Sequence, residues 1–317
     1  MRSLFGISTA IACFAVLAAA PFVLGEYGLG LMIGMASYVT LATAWSLFSG
    51  PTRNISLATA AFFGVGAYTV AVLSETVPYP VVLLAALVIG GGMAVLAGIA
   101  TLRLSGVHFV IFTFGLAELV RQFITWYEVN VTGTLGRYIF LPIEARHIYW
   151  QLLGLAAITL TVYWLIGRSR IGLALRVIGD DQLVASHSGI DIVRVKVALF
   201  ALSAAIITLV GAVQAPRWVY VEPSIVFSPT TSFLVLIMAL LGGPNRLWGA
   251  ACGAIPLFLL FEWLSANFPN HYSIILGLLF IAIIYLLPNG VLEWAEAQWA
   301  RRRREPANDM PAAEAPR

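Results

Sequence analysis

Glu118 and Arg121 stand three residues apart in the middle of an apolar stretch, a spacing that puts an acid and a base on one helix face. Such a pair can neutralise itself, or it can present its charges to a zwitterionic solute or to a partner subunit. Glu262, between Phe261 and Trp263, is a second acid inside an apolar run. It sits either at mid-bilayer depth or at the outer boundary. Little else in the chain has the makings of bond chemistry. The histidines His108, His147, His187 and His271 fall in four different segments, and Cys13 and Cys252 both lie in apolar stretches, too few and too separated for a disulfide framework or a metal site. There is no Gly-x4-Gly-Lys-Ser/Thr phosphate loop, no His-Glu-x-x-His and no Gly-x-Ser-x-Gly elbow. The sequence therefore points to no catalytic residue, no metal and no cofactor held by the chain itself.

The segment from Gly167 to Lys196 is the densest run of charge between apolar stretches. Ile171, Leu175, Ile178 and Leu183 can share one apolar side, and Asp180 and Asp181 after Gly179 can cap a second set of helical turns. Arg170, Arg176, Asp180 and Asp181 would then rim a helix lying across the membrane face, of the kind that inserts into a groove on a partner. The plainer reading is a solvated basic loop that only sets topology.

These residues must be positioned by membrane spans. Of 317 residues, 60% are hydrophobic and 10% charged, and the mean hydropathy is +0.91. A globular core cannot absorb that much apolar surface, so lipid is the solvent. A helix needs about 20 apolar residues to cross the hydrocarbon. Candidates fall at 4–24, 28–49, 58–74, 79–102, 107–127, 148–167, 197–214, 230–242, 247–267 and 273–288. The expected fold is an all-α polytopic transmembrane bundle of about ten spans, with eight to ten allowed by the short third and eighth candidates. Short or broken spans often border a translocation path.

Charge asymmetry orients the chain. With the N-terminus inside, ten spans place Arg2, Arg53, Arg103, Arg168, Arg170, Arg176, Arg194, Lys196, Arg246, Arg301 to Arg304 and Arg317 in the cytoplasm, against Arg137, Arg146 and Arg217 outside. Both termini are expected inside. The first apolar run resembles a signal peptide, but Pro21 directly after Ala18-Ala19-Ala20 disfavours cleavage there, and it is read as a span. Residues 1–293 are expected to form the membrane domain, with a cytoplasmic segment at 168–194. Residues 294–317 are expected to form a basic tail, amphipathic around Trp294 and Trp299 and then disordered, resting on anionic lipid. Small residues recur at Gly64 and Gly66, at Gly90 to Gly92, and at Gly242, Gly243 and Gly249. They suit close helix packing or a sliding, hinging surface.

Several segments in order resemble the inner-membrane permeases of branched-chain amino-acid ABC importers, of the LivM type. They are Ser56 to Tyr68, Leu104 to Phe109 followed by Ala117 to Arg121, Ser169 to Ile190, Phe200 to Val213, and Leu241 to Gly249. The resemblance implies a translocation path without a motor of its own. Its partners would be two ATPase subunits that use ATP, a second similar permease making a heterodimer, and a periplasmic solute-binding protein; no nucleic acid is implied. It also implies a bacterial inner-membrane location. The stretch Ser169–Ile190 would be the cytoplasmic segment that docks on the ATPase, through Arg170, Gly172, Arg176, Asp180, Asp181, Ala185 and Gly189. Departures from the family pattern are Leu173 where an arginine is usual, Gly179 where a basic residue is frequent, and Gln182 where an acid stands. The competing expectation is a stand-alone secondary carrier or channel using Glu118, Arg121 or Glu262.

Overall fold

The computed structural model describes residues 14, 16–102, 104 and 106–286 of the chain. Most of the first candidate span, Cys13, Arg103 and the whole tail from 294 lie outside the described residues. The fold is all-α and polytopic. Its helices are α1 (Glu26–Thr52), α2 (Thr59–Leu73), α3 (Tyr79–Thr101), α4 (Val107–Tyr127), α5 (Ala145–Arg168), α6 (Arg170–Asp180), α7 (Gln182–His187), α8 (Ile192–Gln214), the single turn α9 (Pro223–Val226), α10 (Pro229–Gly242), α11 (Gly249–Asn267) and α12 (Tyr272–Leu286). Among the described residues seven helices are long and apolar enough to cross a membrane, and Thr59–Leu73 and Ile274–Ile283 are shorter apolar helices. The expected count of about ten spans is thus not reached in this set.

α1 is the central post. It is apolar on all sides, and 72% of its apolar window is buried inside the chain. Ile33, Leu41, Trp45, Leu47 and Phe48 are nearly inaccessible and belong to the main core, where α5, α8, α10 and α11 surround the post. Phe48, Phe62, Phe109 and Phe200 bring α1, α2, α4 and α8 to one aromatic knot, with the Phe48 and Phe200 centroids 4.9 Å apart.

Glycine sets the closest approaches. A Cβ on Gly66 would collide with the Thr208 carbonyl, one on Gly211 with the Phe63 carbonyl, and one on Gly242 with the Gly249 carbonyl. These contacts hold α2 on α8 and α10 on α11 at backbone distance. Gly64 leaves room for the Phe227 ring.

α2 is short because it begins inside the bundle. Residues 53–58 between α1 and α2 are not helical, and Asn54, Ser56, Leu57 and Ala58 are buried. Backbone groups in such a place need protein partners. Ser232 Oγ accepts from Ala60 N at 2.8 Å and donates to the Leu57 carbonyl at 2.9 Å. Thr113 Oγ1 accepts from Leu57 N at 3.0 Å, and Trp45 Nε1 donates to the Ser56 carbonyl at 2.7 Å.

At the end of the bundle opposite α6 and α7, strands β1 (Arg137–Tyr138) and β2 (Tyr220–Val221) pair antiparallel and join two loops. Beneath them Glu128, only 1% exposed, accepts through Oε2 from Tyr68 OH at 3.1 Å and from Gly136 N at 2.8 Å. Arg137 Nε lies 3.4 Å from its other oxygen. Sequence reasoning passed over Glu128, because its partners come from a distant helix and an irregular loop.

Candidate functional site

α6 and α7 lie across one end of the bundle. Ser169 makes the corner after α5: its Oγ accepts from Gly172 N at 3.3 Å, an N-cap that starts α6 one residue after α5 stops. A Cβ on Gly172 would meet the Ile166 carbonyl, and one on Gly179 the Pro51 carbonyl, so both glycines let α6 lie directly on the ends of α5 and α1. Leu175 and Ile178, each 1% exposed, are the apolar anchors.

α6 stops at Asp181, whose extended backbone and side chain begin α7; Asp181 Oδ1 accepts from Leu183 N at 2.7 Å and from Val184 N at 3.4 Å. Ala185 is fully buried. Gly189, at φ 76°, ends α7 in the left-handed conformation that favours glycine, and Ile190 N reaches back to the Ala185 carbonyl at 3.2 Å. Asp191 then caps α8 by accepting from Arg194 N at 3.1 Å.

One expectation for this segment needs correction. Ile171 and Leu183 do not share the buried side with Leu175 and Ile178; they are 52% and 67% exposed. The corner at Ser169 seats Gly172 against α5 and leaves Ile171 outboard, and the break at Asp181 turns Leu183 to a new azimuth. The four charges expected at the rim, Arg170, Arg176, Asp180 and Asp181, are all exposed. Arg176 Nη2 donates to the Gly167 carbonyl at 3.2 Å, and Asp180 Oδ1 accepts from Arg53 Nη2 at 3.0 Å, both at the surface. With Leu47, Pro51, Tyr163 and Asn245, Arg53, Arg176 and Asp180 line a cavity of about 410 Å³ behind α6. Beside these charges α6 and α7 leave apolar side chains uncovered: Ile171, Leu173, Leu183 and Val184 are each more than half exposed.

The remaining candidates lie elsewhere. Arg121 Nε donates to Glu118 Oε2 at 2.9 Å, its Nη2 donates to Oε1, and Gln122 Nε2 donates to Oε1 at 2.9 Å. Glu262 is half-buried in α11, about 20 Å along the axis from Gly249 at ~1.5 Å per residue, towards the end away from α6. Gly243, at φ 93°, and Gly249 close the turn between α10 and α11, where Tyr163 OH donates to the Pro244 carbonyl at 3.0 Å. Lys196, expected in the connecting segment, is inside α8 and 1% exposed. Among the described residues no group of three or more His, Cys, Asp or Glu is placed to hold a metal ion.

Residues 28–284, from α1 into α12, match the family described as branched-chain amino acid transport system / permease component. The chain belongs to this permease family. The permease is 24% identical over 324 residues to the high-affinity branched-chain amino acid transport system permease protein LivM of Escherichia coli (strain K12), covering 91% of this chain and 75% of that one. The LivM protein of Salmonella typhimurium is 22% identical over 322 residues, with the same coverage. The permease protein LivH of Escherichia coli (strain K12) is 28% identical over 152 residues, 48% of each chain. No solved structure matches the permease significantly. The matched range includes the whole of α6 and α7.

Proposed function

We propose that this permease is one membrane subunit of an ATP-driven importer of branched-chain amino acids or related small amino-acid, amide or carboxylate solutes. It lies in a bacterial inner membrane with both termini and the α6–α7 segment in the cytoplasm. Two ATPase subunits dock on that segment, a second homologous permease completes the path, and a periplasmic binding protein delivers the solute. Closure of the ATPase pair moves α6 and α7, and the permease pair switches between outward and inward openings. This chain supplies path and linkage, and no bond is made or broken in it.

The single observation that carries this reading is the uncovered apolar edge of α6 and α7. Leu175 and Ile178 hold α6 to the bundle, while Leu173 (66%), on the opposite side of α6, and Leu183 (67%) and Val184 (52%) of α7 are left uncovered. An amphipathic helix that spends one apolar face on its own bundle has no internal use for a second, and a groove on a partner covers it. Changing Leu173 and Leu183 together to aspartate tests this in the reconstituted complex. Solute-stimulated ATP hydrolysis is expected to be lost while the chain still inserts in the membrane. Full stimulation in that variant overturns the docking assignment.

A further inference from the structure

Among the long helices α4 is the least covered. Only 17% of the apolar window that begins with it is buried, against 28% for α3 and for α5 and 67% for α8. The open surface of α3 and α5 is hydrocarbon, with Leu84, Val88 and Leu96 on one and Ile158 and Leu165 on the other, and acyl chains solvate it without cost. α4 differs. Ile111, Gly115, Glu118 and Gln122 follow one another at i, i+4, i+7 and i+11, one stripe of the helix, with Arg121 on its flank. A Cβ on Gly115 would meet nothing within 4 Å, so the stripe has open space in front of it.

Depth makes the stripe informative. Along the axis Glu118 is about 16 Å from Val107 and about 21 Å from Thr132, near the middle of the span. Ionisable groups at that depth face a bundle interior, a partner or water rather than lipid. Here the chain's own bundle covers them only in part: the side chains of Arg121 and Glu118 are 29% and 39% exposed. Their mutual hydrogen bonds use two of the five guanidinium N–H groups, through Nε and Nη2. The pair is internally neutral yet keeps spare donors at one end and spare carboxylate lone pairs at the other.

We propose that this face of α4 lines the water-filled path and is a contact site for a zwitterionic solute, whose carboxylate meets Arg121 and whose ammonium meets Glu118, with Gln122 at the margin. A matched dipole of this kind takes up a zwitterion without a net change in buried charge. The existence of a path beside a second permease rests on the importer reading above.

The test uses the full complex in proteoliposomes, in a background with Cys13→Ala and Cys252→Ala. Gln122→Cys is compared with Val88→Cys at similar depth on α3. A charged, membrane-impermeant thiol reagent is expected to modify Gln122→Cys at least about tenfold faster, a difference of about 1.4 kcal/mol in barrier. Leucine is expected to slow that reaction, whereas 4-methylpentanoate and 3-methylbutylamine, which each lack one of its charges, are not. Equal rates at the two cysteines overturn the path assignment. Labelling that leucine leaves unchanged, or that the singly charged analogues slow equally, overturns the zwitterion contact. Labelling is read without ATP, so absence of ATP-dependent uptake by the unsubstituted complex shows separately that the importer reading has failed.

Discussion

Arg53 Nη2 lies 3.0 Å from Asp180 Oδ1, and this contact ties the residue that follows α1 to the last residue of α6. Arg53 holds φ 53°, the only positive φ at a non-glycine position among the described residues. The side chains are 65% and 76% exposed, so the ion pair itself stabilises the fold by only about 0.2–1 kcal/mol. Its effect is positional: it fixes where α6 ends against the central post.

Breaking that tie is expected to spare stability and weaken linkage. Asp180→Ala should leave thermal unfolding nearly unchanged while lowering solute-stimulated ATP hydrolysis up to about fivefold, the equivalent of about 1 kcal/mol. Raising the salt concentration should mimic the substitution, because exposed charges are screened over ~3 Å at 1 M. Arg53→Asp combined with Asp180→Arg should restore stimulation. Hydrolysis measured against ionic strength checks all three.

Glycines in the bundle should separate into two classes. Gly242→Ala places a methyl against the Gly249 carbonyl, and Gly253 N is 2.9 Å from the same point. Backbone on both sides cannot give way, so a loss of about 1–3 kcal/mol is expected. Gly92→Ala meets nothing within 4 Å, and helix propensity alone should make it neutral or up to about 1 kcal/mol stabilising. Thermal unfolding of the two variants in detergent provides the comparison.

The irregular segment at 53–58 should be sensitive to its side-chain partners. Ser232→Ala leaves both Leu57 O and Ala60 N without the hydroxyl that serves them, at about 1–3 kcal/mol for each unmet group. Thr159→Val is the control. Thr159 is equally buried, but its hydroxyl only donates to Leu155 O within its own helix, and a loss below about 1.5 kcal/mol is expected. If the two variants unfold together, Ser232 does not support the segment as described.

Hydropathy made the spans legible: the candidate windows at 79–102, 107–127 and 230–242 meet Tyr79–Thr101, Val107–Tyr127 and Pro229–Gly242 within a residue. Local chemistry was legible too. Asp181 starts a helix because its carboxylate serves the next two free N–H groups, and Arg121 reaches Glu118 because three residues make most of a turn. What could not be read depends on contacts far apart in sequence. Asp180 meets Arg53 across 127 positions, and Ser232 meets Leu57 across 175. Periodicity also misled at Ile171, which has the azimuth of Leu175 and Ile178 but stands in the first turn of α6 and is 52% exposed.

The buried hydroxyl of Ser232 has a consequence for biosynthesis. When Leu57 and Ala60 are joined to the growing chain, the residue that serves their backbone is still 175 and 172 positions from being translated. The N-terminal hairpin must therefore wait, with open amide groups, for α10 to reach the membrane. Chains interrupted before that helix should be poor survivors of membrane quality control.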